Sequence, residues 1–227
     1  MISKPSIEEL GDESAYEKVL TLPYGDIAPF VIGSLKSFNL PMMTVWIVLA
    51  LTAFLNVWFW PGVIYTPENS RIIIGLLTGL AAVPVFLIPV HEGLHLIPFR
   101  MSGAKDIRYG ADLRQGIIYV TAHRFVADLR LFSIVAFTPF VVITAVLIVT
   151  IIVCSPWWKW VLSLALFTHT TMCAGDAALI GFMRGLSYRN VYTWDDADRK
   201  EAYFYAGKIA GNDSLHRRPN WAFLLLF

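Results

Sequence analysis

Four long apolar segments constrain the fold of this chain more than any other feature. A helix needs roughly 20 apolar residues to cross a hydrocarbon core of about 30 Å. The segments cover residues 42–60, 72–98, 131–154 and 160–183, and the third contains no charged residue. Hydrophobic residues make up 56% of the chain, a larger share than in an ordinary soluble domain. The sequence therefore predicts an all-α polytopic membrane protein with four transmembrane helices.

Lys and Arg residues are distributed unevenly between the connecting segments. Of the 18, 16 lie in the N-terminal segment 1–41, the loop 99–130 and the C-terminal tail 184–227. The positive-inside rule places these three segments in the cytoplasm, around a transmembrane core over 42–183. The lipid bilayer is thus an expected partner. A net charge of +1 predicts no nucleic-acid partner.

Residues 91–95 read His-Glu-Gly-Leu-His, at the end of the second apolar segment. Helix residues four apart lie on one face, so the imidazoles of His91 and His95 can reach one metal ion. Glu92 lies beside that ion and can accept a proton from water. Two imidazoles and a carboxylate suit zinc, and they suit other divalent ions as well. The motif predicts a zinc hydrolase with Glu92 as the general base.

Asp176 is the candidate for the third metal ligand. It is the only acidic residue besides Glu92 in the four segments, and a carboxylate in hydrocarbon usually has a partner and a function. His91 lies nine residues before Arg100. Asp176 lies eight residues before Arg184. At about 1.5 Å per helical residue, both lie about 12–14 Å from the flanking arginine, so they are expected to meet near the cytoplasmic surface.

His169 and Cys173 are alternative ligands on the same helix stripe as Asp176. In a regular helix His169 lies about 10 Å from Asp176, too far for both to bind one ion, and it is expected in the outer half of the membrane. Asp176 is therefore preferred as the third ligand, with His169 or Cys173 as the alternatives, and His169 can instead orient a ligand or lie on the substrate pathway. Cys154 and Cys173 are expected to be buried thiols without a disulfide. His123 and His216 are expected to be ordinary surface histidines.

The segments outside the membrane contain three predicted elements. The loop 99–130 is predicted to hold a β-hairpin, with strands at 106–110 and 116–122 and a turn at 112–115, because residues 117–121 have high β-propensity. Such a hairpin either receives an extended substrate as an added strand or is purely structural. Residues 6–20 are predicted to form an amphipathic helix with Ser6 as its N-cap and Glu9 completing a capping box. Residues 195–209 are predicted to form a second helix.

Three short sequences carry a resemblance to a known family. They are Pro-Val-His-Glu-Gly-Leu-His at 89–95, Thr138-Pro139 in the third segment and Ala-Gly-Asp at 174–176. On these residues the chain resembles the putative zincin peptidase family of bacterial membrane proteins, a domain of unknown function. It is also distantly similar to intramembrane metalloproteases of the site-2 protease type. The resemblance implies zinc held by His91, His95 and Asp176, with Glu92 as catalytic base, in a bacterial inner membrane.

The sequence therefore supports one leading hypothesis and two alternatives. The leading one is a membrane-embedded zinc metalloprotease that cleaves a membrane protein or peptide near the cytoplasmic side. The first alternative is a non-proteolytic scaffold or partner subunit, whose structural zinc would have four protein ligands. The second is a zinc hydrolase that acts on a lipid or on a small amide or ester, which would have no use for an edge strand.

Overall fold

The computed structural model describes residues 4–60, 69–112 and 117–208. The α-helices in this part of the chain are α1 (Ile7–Leu10), α2 (Ile27–Ser34), α3 (Leu40–Phe59), α4 (Asn69–Leu77), α5 (Val83–Met101), α6 (Leu129–Val153), α7 (Pro156–Met172) and α8 (Ala174–Gly185). The strands are β1 (Tyr16–Pro23), β2 (Ile107–Asp112), β3 (Ile117–Ala122), β4 (Ala127–Asp128), β5 (Val191–Asp196) and β6 (Glu201–Gly207).

Three helices among the described residues are long and apolar enough to cross a membrane. They are Leu40–Phe59, Ser70–Met101 and Leu129–Val153. They match the first three predicted spans to within a few residues, and they identify the chain as a membrane protein. Polar caps mark two of their starts: the side chain of Asn39 accepts the Met42 N–H, and that of Asp128 accepts the Leu131 N–H.

The second of these helices contains a π-helical turn, Thr78–Ala82, between α4 and α5. It lies immediately before Pro84, which has no N–H for a regular helical bond and whose ring would clash with the preceding turn. At the end of the turn, the Val83 N–H donates to the Thr78 carbonyl, one residue further back than in an α-helix. The helix is therefore locally widened before the His-Glu-x-x-His motif.

The fourth predicted span is interrupted. Residues 160–183 belong to α7 and α8, which meet at Cys173. Cys173 donates its N–H to the His169 carbonyl and accepts the N–H of Ala177, so it ends one helix and begins the next. Because the helix does not continue regularly through Cys173, distances calculated along a single helix do not hold across it.

A four-stranded antiparallel sheet, in the order β1-β6-β5-β4, was not predicted from the sequence. The all-α fold class is therefore wrong in part. β1 comes from the N-terminal segment and pairs with β6 from the tail, from Tyr16 opposite Gly207 to Pro23 opposite Glu201. The two terminal segments thus form one structure. The sheet packs on the end of α8 through a buried cluster of Leu22, Tyr24, Met183, Leu186, Val191, Ala202 and Phe204.

Both helices predicted in the terminal segments are corrected by this sheet. The capping box of Ser6 and Glu9 is confirmed, but α1 ends at Leu10 and Gly11 follows as its cap. The predicted helix 195–209 is instead the end of β5, a turn and β6, and Ile209 lies outside the described residues. In the turn, the Asp196 carboxylate accepts the N–H groups of Asp198 and Arg199. An Asp that caps a turn in this way competes with helix formation.

The predicted hairpin in the middle loop is confirmed. β2 and β3 pair antiparallel in a sheet of their own, with Tyr109 opposite Val120. Residues 113–115 of the predicted turn and residue 116, predicted to begin the second strand, lie outside the described residues. β3 contacts α5 on one side and β5 on the other. The hairpin therefore lies between the helix that carries the His-Glu-x-x-His motif and the four-stranded sheet.

Candidate metal centre

His91 and His95 lie one helical turn apart on α5, with ring centroids 5.0 Å apart. Both side chains are buried. Their Nε2 atoms point to one carboxylate oxygen: Asp176 Oδ2 lies 3.3 Å from Nε2 of His91 and 3.7 Å from Nε2 of His95. The sequence analysis grouped these three residues, and the structure brings them together.

Asp176 lies at the start of α8. It is the third residue of that helix, in the first turn after the junction at Cys173. The N-terminal end of a helix carries a partial positive charge that stabilises a carboxylate. The helix start therefore favours the charged form of Asp176, which is the form that binds a metal ion.

The spacing of the three side chains suits a zinc ion. Zinc binds histidine nitrogens and carboxylate oxygens at about 2.0–2.2 Å in a tetrahedral arrangement, which separates neighbouring ligand atoms by about 3.3 Å. The two distances to Asp176 Oδ2, 3.3 and 3.7 Å, are close to this value. Three protein ligands leave the fourth tetrahedral position open.

Glu92 also lies within ligand distance, since His91, Glu92 and His95 each offer an atom within 4.8 Å of the others. Its carboxylate has a different partner, however. Glu92 Oε2 accepts the backbone N–H of Val120 in β3 at 3.1 Å. Asp176 Oδ2 faces both imidazoles, whereas Glu92 Oε2 is held by the hairpin. The arrangement favours Asp176 as the ligand and leaves Glu92 beside the metal position.

His95 is oriented by α6. Its Nδ1 lies 2.9 Å from the carbonyl oxygen of Val135. A carbonyl only accepts, so Nδ1 carries the proton, and in a neutral imidazole Nε2 then has a free lone pair toward Asp176. The Val135 carbonyl is free to accept because Pro139, four residues later, has no N–H for the helical bond. The sequence analysis missed this contact, although Pro139 is part of the resemblance.

His169 lies against the nitrogen of His91 that faces away from Asp176. Its Nε2 is 3.4 Å from Nδ1 of His91, and the Cys173 sulfur is 3.6 Å from the same Nε2 atom and 4.0 Å from Nδ1 of His91. His169 and Asp176 therefore do not face a single ion position, as expected from their spacing. His169 thus contacts a candidate ligand, as an orienting residue would. Both cysteines are free thiols; Cys173 is buried, as predicted, whereas Cys154 is only partly buried.

A cavity of about 220 Å³ extends from this cluster. One wall is helical and contains His91, Glu92, His95 and Asp176. The facing wall consists of β3 and the four-stranded sheet. The polar side chains of that wall, absent from the sequence-based site, include Tyr24, Thr121 and Asp195. No motif marked them, because they come from three separate segments of the chain.

Asp195 is the acidic group on the sheet wall. The surrounding strands shield it from bulk solvent although part of its surface lies on the cavity, and this burial raises the pKa of its carboxyl to about 6. The Tyr24 hydroxyl lies 3.5 Å from its Oδ1 atom. Burial and the negative charge of Asp195 likewise raise the pKa of the Tyr24 phenol. The pair is therefore a polar site enclosed in a largely apolar wall.

Most of the helical residues that line the cavity lie in a stretch that matches a known protein family. A family model described as "Putative zincin peptidase" matches residues 84–184. This stretch belongs to the putative zincin peptidase family. This is the family named above on sequence resemblance. The matched stretch contains the motif of residues 91–95 and Asp176. The family's description is that of a zinc peptidase. Searches of curated proteins and of solved structures found no match.

The remaining histidines lie away from the cavity or outside the described residues. His123 lies beside the turn after β5: its Nδ1 accepts the Ala197 N–H, and its Nε2 is 3.6 Å from Asp198 Oδ2. It does not line the cavity. His216 falls outside the described residues.

The contact between His95 and Val135 predicts an effect of Pro139→Ala. The new N–H would compete with His95 for the Val135 carbonyl and loosen the orientation of the imidazole. We expect the zinc affinity to fall by roughly tenfold, as is typical when a partner of a ligand is disturbed, while the helical content is retained. Competition with a zinc chelator measures the affinity. Thr138→Ala, in the same turn, is the control, and equal affinities in all three proteins would contradict the prediction.

The pKa of Asp195 predicts a pH-dependent stability. Its folded-state pKa, about 6, is above the ordinary value of 3.8, so its contribution to stability is complete below about pH 4 and is lost as the pH rises through 6. Asp195→Asn should therefore unfold at a higher temperature than wild type at pH 8, and this difference should vanish near pH 4. Thermal unfolding of metal-free protein in EDTA measures it. A constant difference across this range would contradict the prediction, and Asp196→Asn is the control.

Proposed function

We propose that this protein is a membrane-embedded zinc metalloprotease that hydrolyses peptide bonds near the cytoplasmic side of a bacterial inner membrane. The observation that supports this most is the convergence of His91 Nε2, His95 Nε2 and Asp176 Oδ2, with Glu92 beside them. All four residues lie within the stretch that matches the zincin peptidase family. The proposal includes four membrane crossings, the fourth formed by α7 and α8, with both termini in the cytoplasm.

In this proposal His91, His95 and Asp176 hold the zinc ion through Nε2, Nε2 and Oδ2. Zinc supplies Lewis acidity, which makes water a better nucleophile at neutral pH and polarises the peptide carbonyl. The Val135 carbonyl keeps His95 in the tautomer that offers Nε2. His169 and Cys173 restrict the ring of His91 through its Nδ1 atom. Each imidazole is thus oriented by a partner on a different helix.

Glu92 is the general base in this mechanism. Its carboxylate takes a proton from the attacking water and delivers it to the leaving amine. The N–H of Val120 holds Oε2 and limits the orientations of the side chain. Because that donor belongs to β3, the position of the base depends on the hairpin as well as on α5.

The edge of β3 supports a peptide as the substrate. In an antiparallel pair, successive residues direct their N–H and C=O groups alternately toward the partner strand and away from it. The Val120 N–H reaches Glu92, so residues 118 and 120 direct their backbone groups away from β2 and toward the cavity. An extended peptide can add to such an edge as a further strand, with its carbonyl near the metal position. This observation favours a polypeptide over a lipid or a small ester.

A closed structural zinc site receives less support. Its fourth ligand would have to come from His169 or Cys173, and both lie at the Nδ1 side of His91. Asp176 lies at the Nε2 side of the same ring. The two nitrogens of one imidazole point in divergent directions, so these groups cannot surround a single ion together with Asp176. A site with three protein ligands and one open position is the arrangement of catalytic zinc.

Measuring zinc and turnover in the same variants tests the proposal. Glu92→Gln should keep about one zinc per chain and lose at least about 100-fold in turnover, because it removes the base and leaves the ligands in place. Asp176→Ala should lose most of its zinc and its turnover together. Zinc is measured on purified protein in detergent, and turnover is measured on membrane-protein and peptide substrates.

Two results would contradict this assignment. Loss of zinc in Glu92→Gln with full zinc in Asp176→Ala would exchange the roles of the two carboxylates. Wild type that takes up no zinc after metal is supplied would exclude the hydrolase. Asp106→Asn is a matched control, because Asp106 is an exposed carboxylate paired with Arg108 outside the cavity.

Val120→Pro tests the role of the β3 edge. Proline at position 120 removes the N–H that donates to Glu92. The hydrogen bonds between β2 and β3 are kept, because this N–H points away from β2. A hydrogen bond to a charged group contributes about 1.5–3 kcal/mol, so we expect kcat/KM to fall by about 10–100-fold with zinc unchanged. Val120→Ala keeps the N–H and is the control. Full activity in the proline variant would exclude both strand addition and a role of this N–H.

A further inference from the structure

The sheet wall of the cavity contains a polar cluster that the proposed mechanism does not use. It consists of the Tyr24 hydroxyl, the Thr121 hydroxyl and the Asp195 carboxylate. Tyr24 follows β1, Thr121 is in β3 and Asp195 is in β5. Tyr24 and Asp195 lie outside the stretch 84–184 that matches the family model.

The three groups have their partners mainly in one another. The Tyr24 hydroxyl lies 3.5 Å from Asp195 Oδ1, and the hydroxyl of Thr121, which is 4% exposed, lies close enough to both to lower their pKa values. Asp195 forms no ion pair with a Lys or Arg of the described chain. A carboxylate with two hydroxyl neighbours and no such ion pair keeps acceptor capacity toward the cavity, and this indicates a cationic ligand.

The histidine nearest to this carboxylate has partners elsewhere. The Nδ1 atom of His123 accepts the Ala197 N–H, and its Nε2 atom faces Asp198. The charge that Asp195 presents to the cavity is therefore not neutralised by a paired cation within the described residues. A carboxylate flanked by two hydroxyl oxygens offers acceptors from three directions, which suits a protonated amine with its three donors.

The cluster is also near the metal position. Val120 donates its N–H to Glu92, and the next residue, Thr121, belongs to the cluster. Adjacent residues of a strand are about 3.8 Å apart, so β3 connects the two polar ends of one cavity through neighbouring residues. A peptide with its scissile carbonyl at the metal position can place a side chain or its amino terminus one or two residues away at Asp195.

We propose that Asp195, with Tyr24 and Thr121, is a specificity subsite that binds the protonated amine of a peptide substrate, either a lysine side chain or a free amino terminus. This inference rests on the proposed peptidase function, and it adds which peptides are preferred. The subsite also accounts for the retention of an acidic group at a position where burial disfavours its charged form. Residues kept at a cost to stability are common in functional sites.

Equilibrium binding of peptide hydroxamates to the zinc-loaded full-length protein tests the subsite without turnover. The hydroxamate group of each probe binds the zinc ion. One series of probes carries this group at the carboxyl end, and a second series carries it at the amino end. Matched probes carry lysine or the uncharged norleucine at each position in turn, and another pair compares a free with an acetylated amino terminus. We expect one pair to show at least about tenfold tighter binding of the charged member, and this preference should disappear in Asp195→Asn.

Three variants separate the charge from the fold. Asp196→Asn removes the neighbouring carboxylate, which does not line the cavity, and should keep the full preference. Tyr24→Phe keeps the ring that packs on Tyr119 and should reduce the preference severalfold. Asp195→Asn should bind the uncharged probes as tightly as wild type, which shows that it is folded and loaded with zinc.

Two failures are distinguishable. If the hydroxamates bind but no charged probe is preferred, or if the preference survives in Asp195→Asn, the subsite is wrong and the peptidase proposal stands. If no hydroxamate binds to zinc-loaded wild type, or if binding is equally strong in Asp176→Ala, the metal site itself is wrong and the subsite falls with it.

Discussion

The imidazole of His91 lies between polar groups of two helices, and the arrangement of the interior depends on it. Its Nε2 atom faces Asp176 in α8, and its Nδ1 atom faces His169 in α7. In an apolar region every buried polar group needs a partner, because water does not compensate for its loss. The two contacts come from the two sides of the change from α7 to α8 at Cys173. His91 thus ties both helices of the interrupted fourth segment to α5.

Features that depend on local sequence were predicted well. The apolar lengths identified the membrane helices, the i and i+4 spacing placed His91 and His95 on one face, and the β-branched run at residues 117–121 identified β3. Counting residues back from Arg100 and from Arg184 also placed Asp176 at the level of the histidines. That estimate succeeded because Asp176 was measured from Arg184, at the other end of α8, without crossing the junction. The same arithmetic separates His169 from Asp176, and in the structure the two lie at opposite nitrogens of His91.

Features that depend on distant segments were not predicted. The tail was assigned a helix because acidic residues at 195–198 suit a helix start, yet the same residues suit a turn, as the Asp196 side chain shows. β6 pairs with β5 on one side and with β1, some 180 residues earlier in the chain, on the other. The Val135 carbonyl escaped notice for a related reason. A missing N–H at Pro139 is visible in the sequence, but the donor that replaces it comes from another helix.

The two walls of the cavity have different origins, and this has consequences for specificity. The helical wall contains the motif and Asp176, so its geometry is restricted by the tetrahedral arrangement that a zinc ion demands. The sheet wall consists of β3 and strands from both terminal segments, and no comparable geometry restricts its side chains. Substitutions at Tyr24 or Asp195 change the surface that faces a bound peptide without touching the candidate ligands. In the proposed peptidase, the chemistry would depend on the helices and the choice of peptide on the sheet.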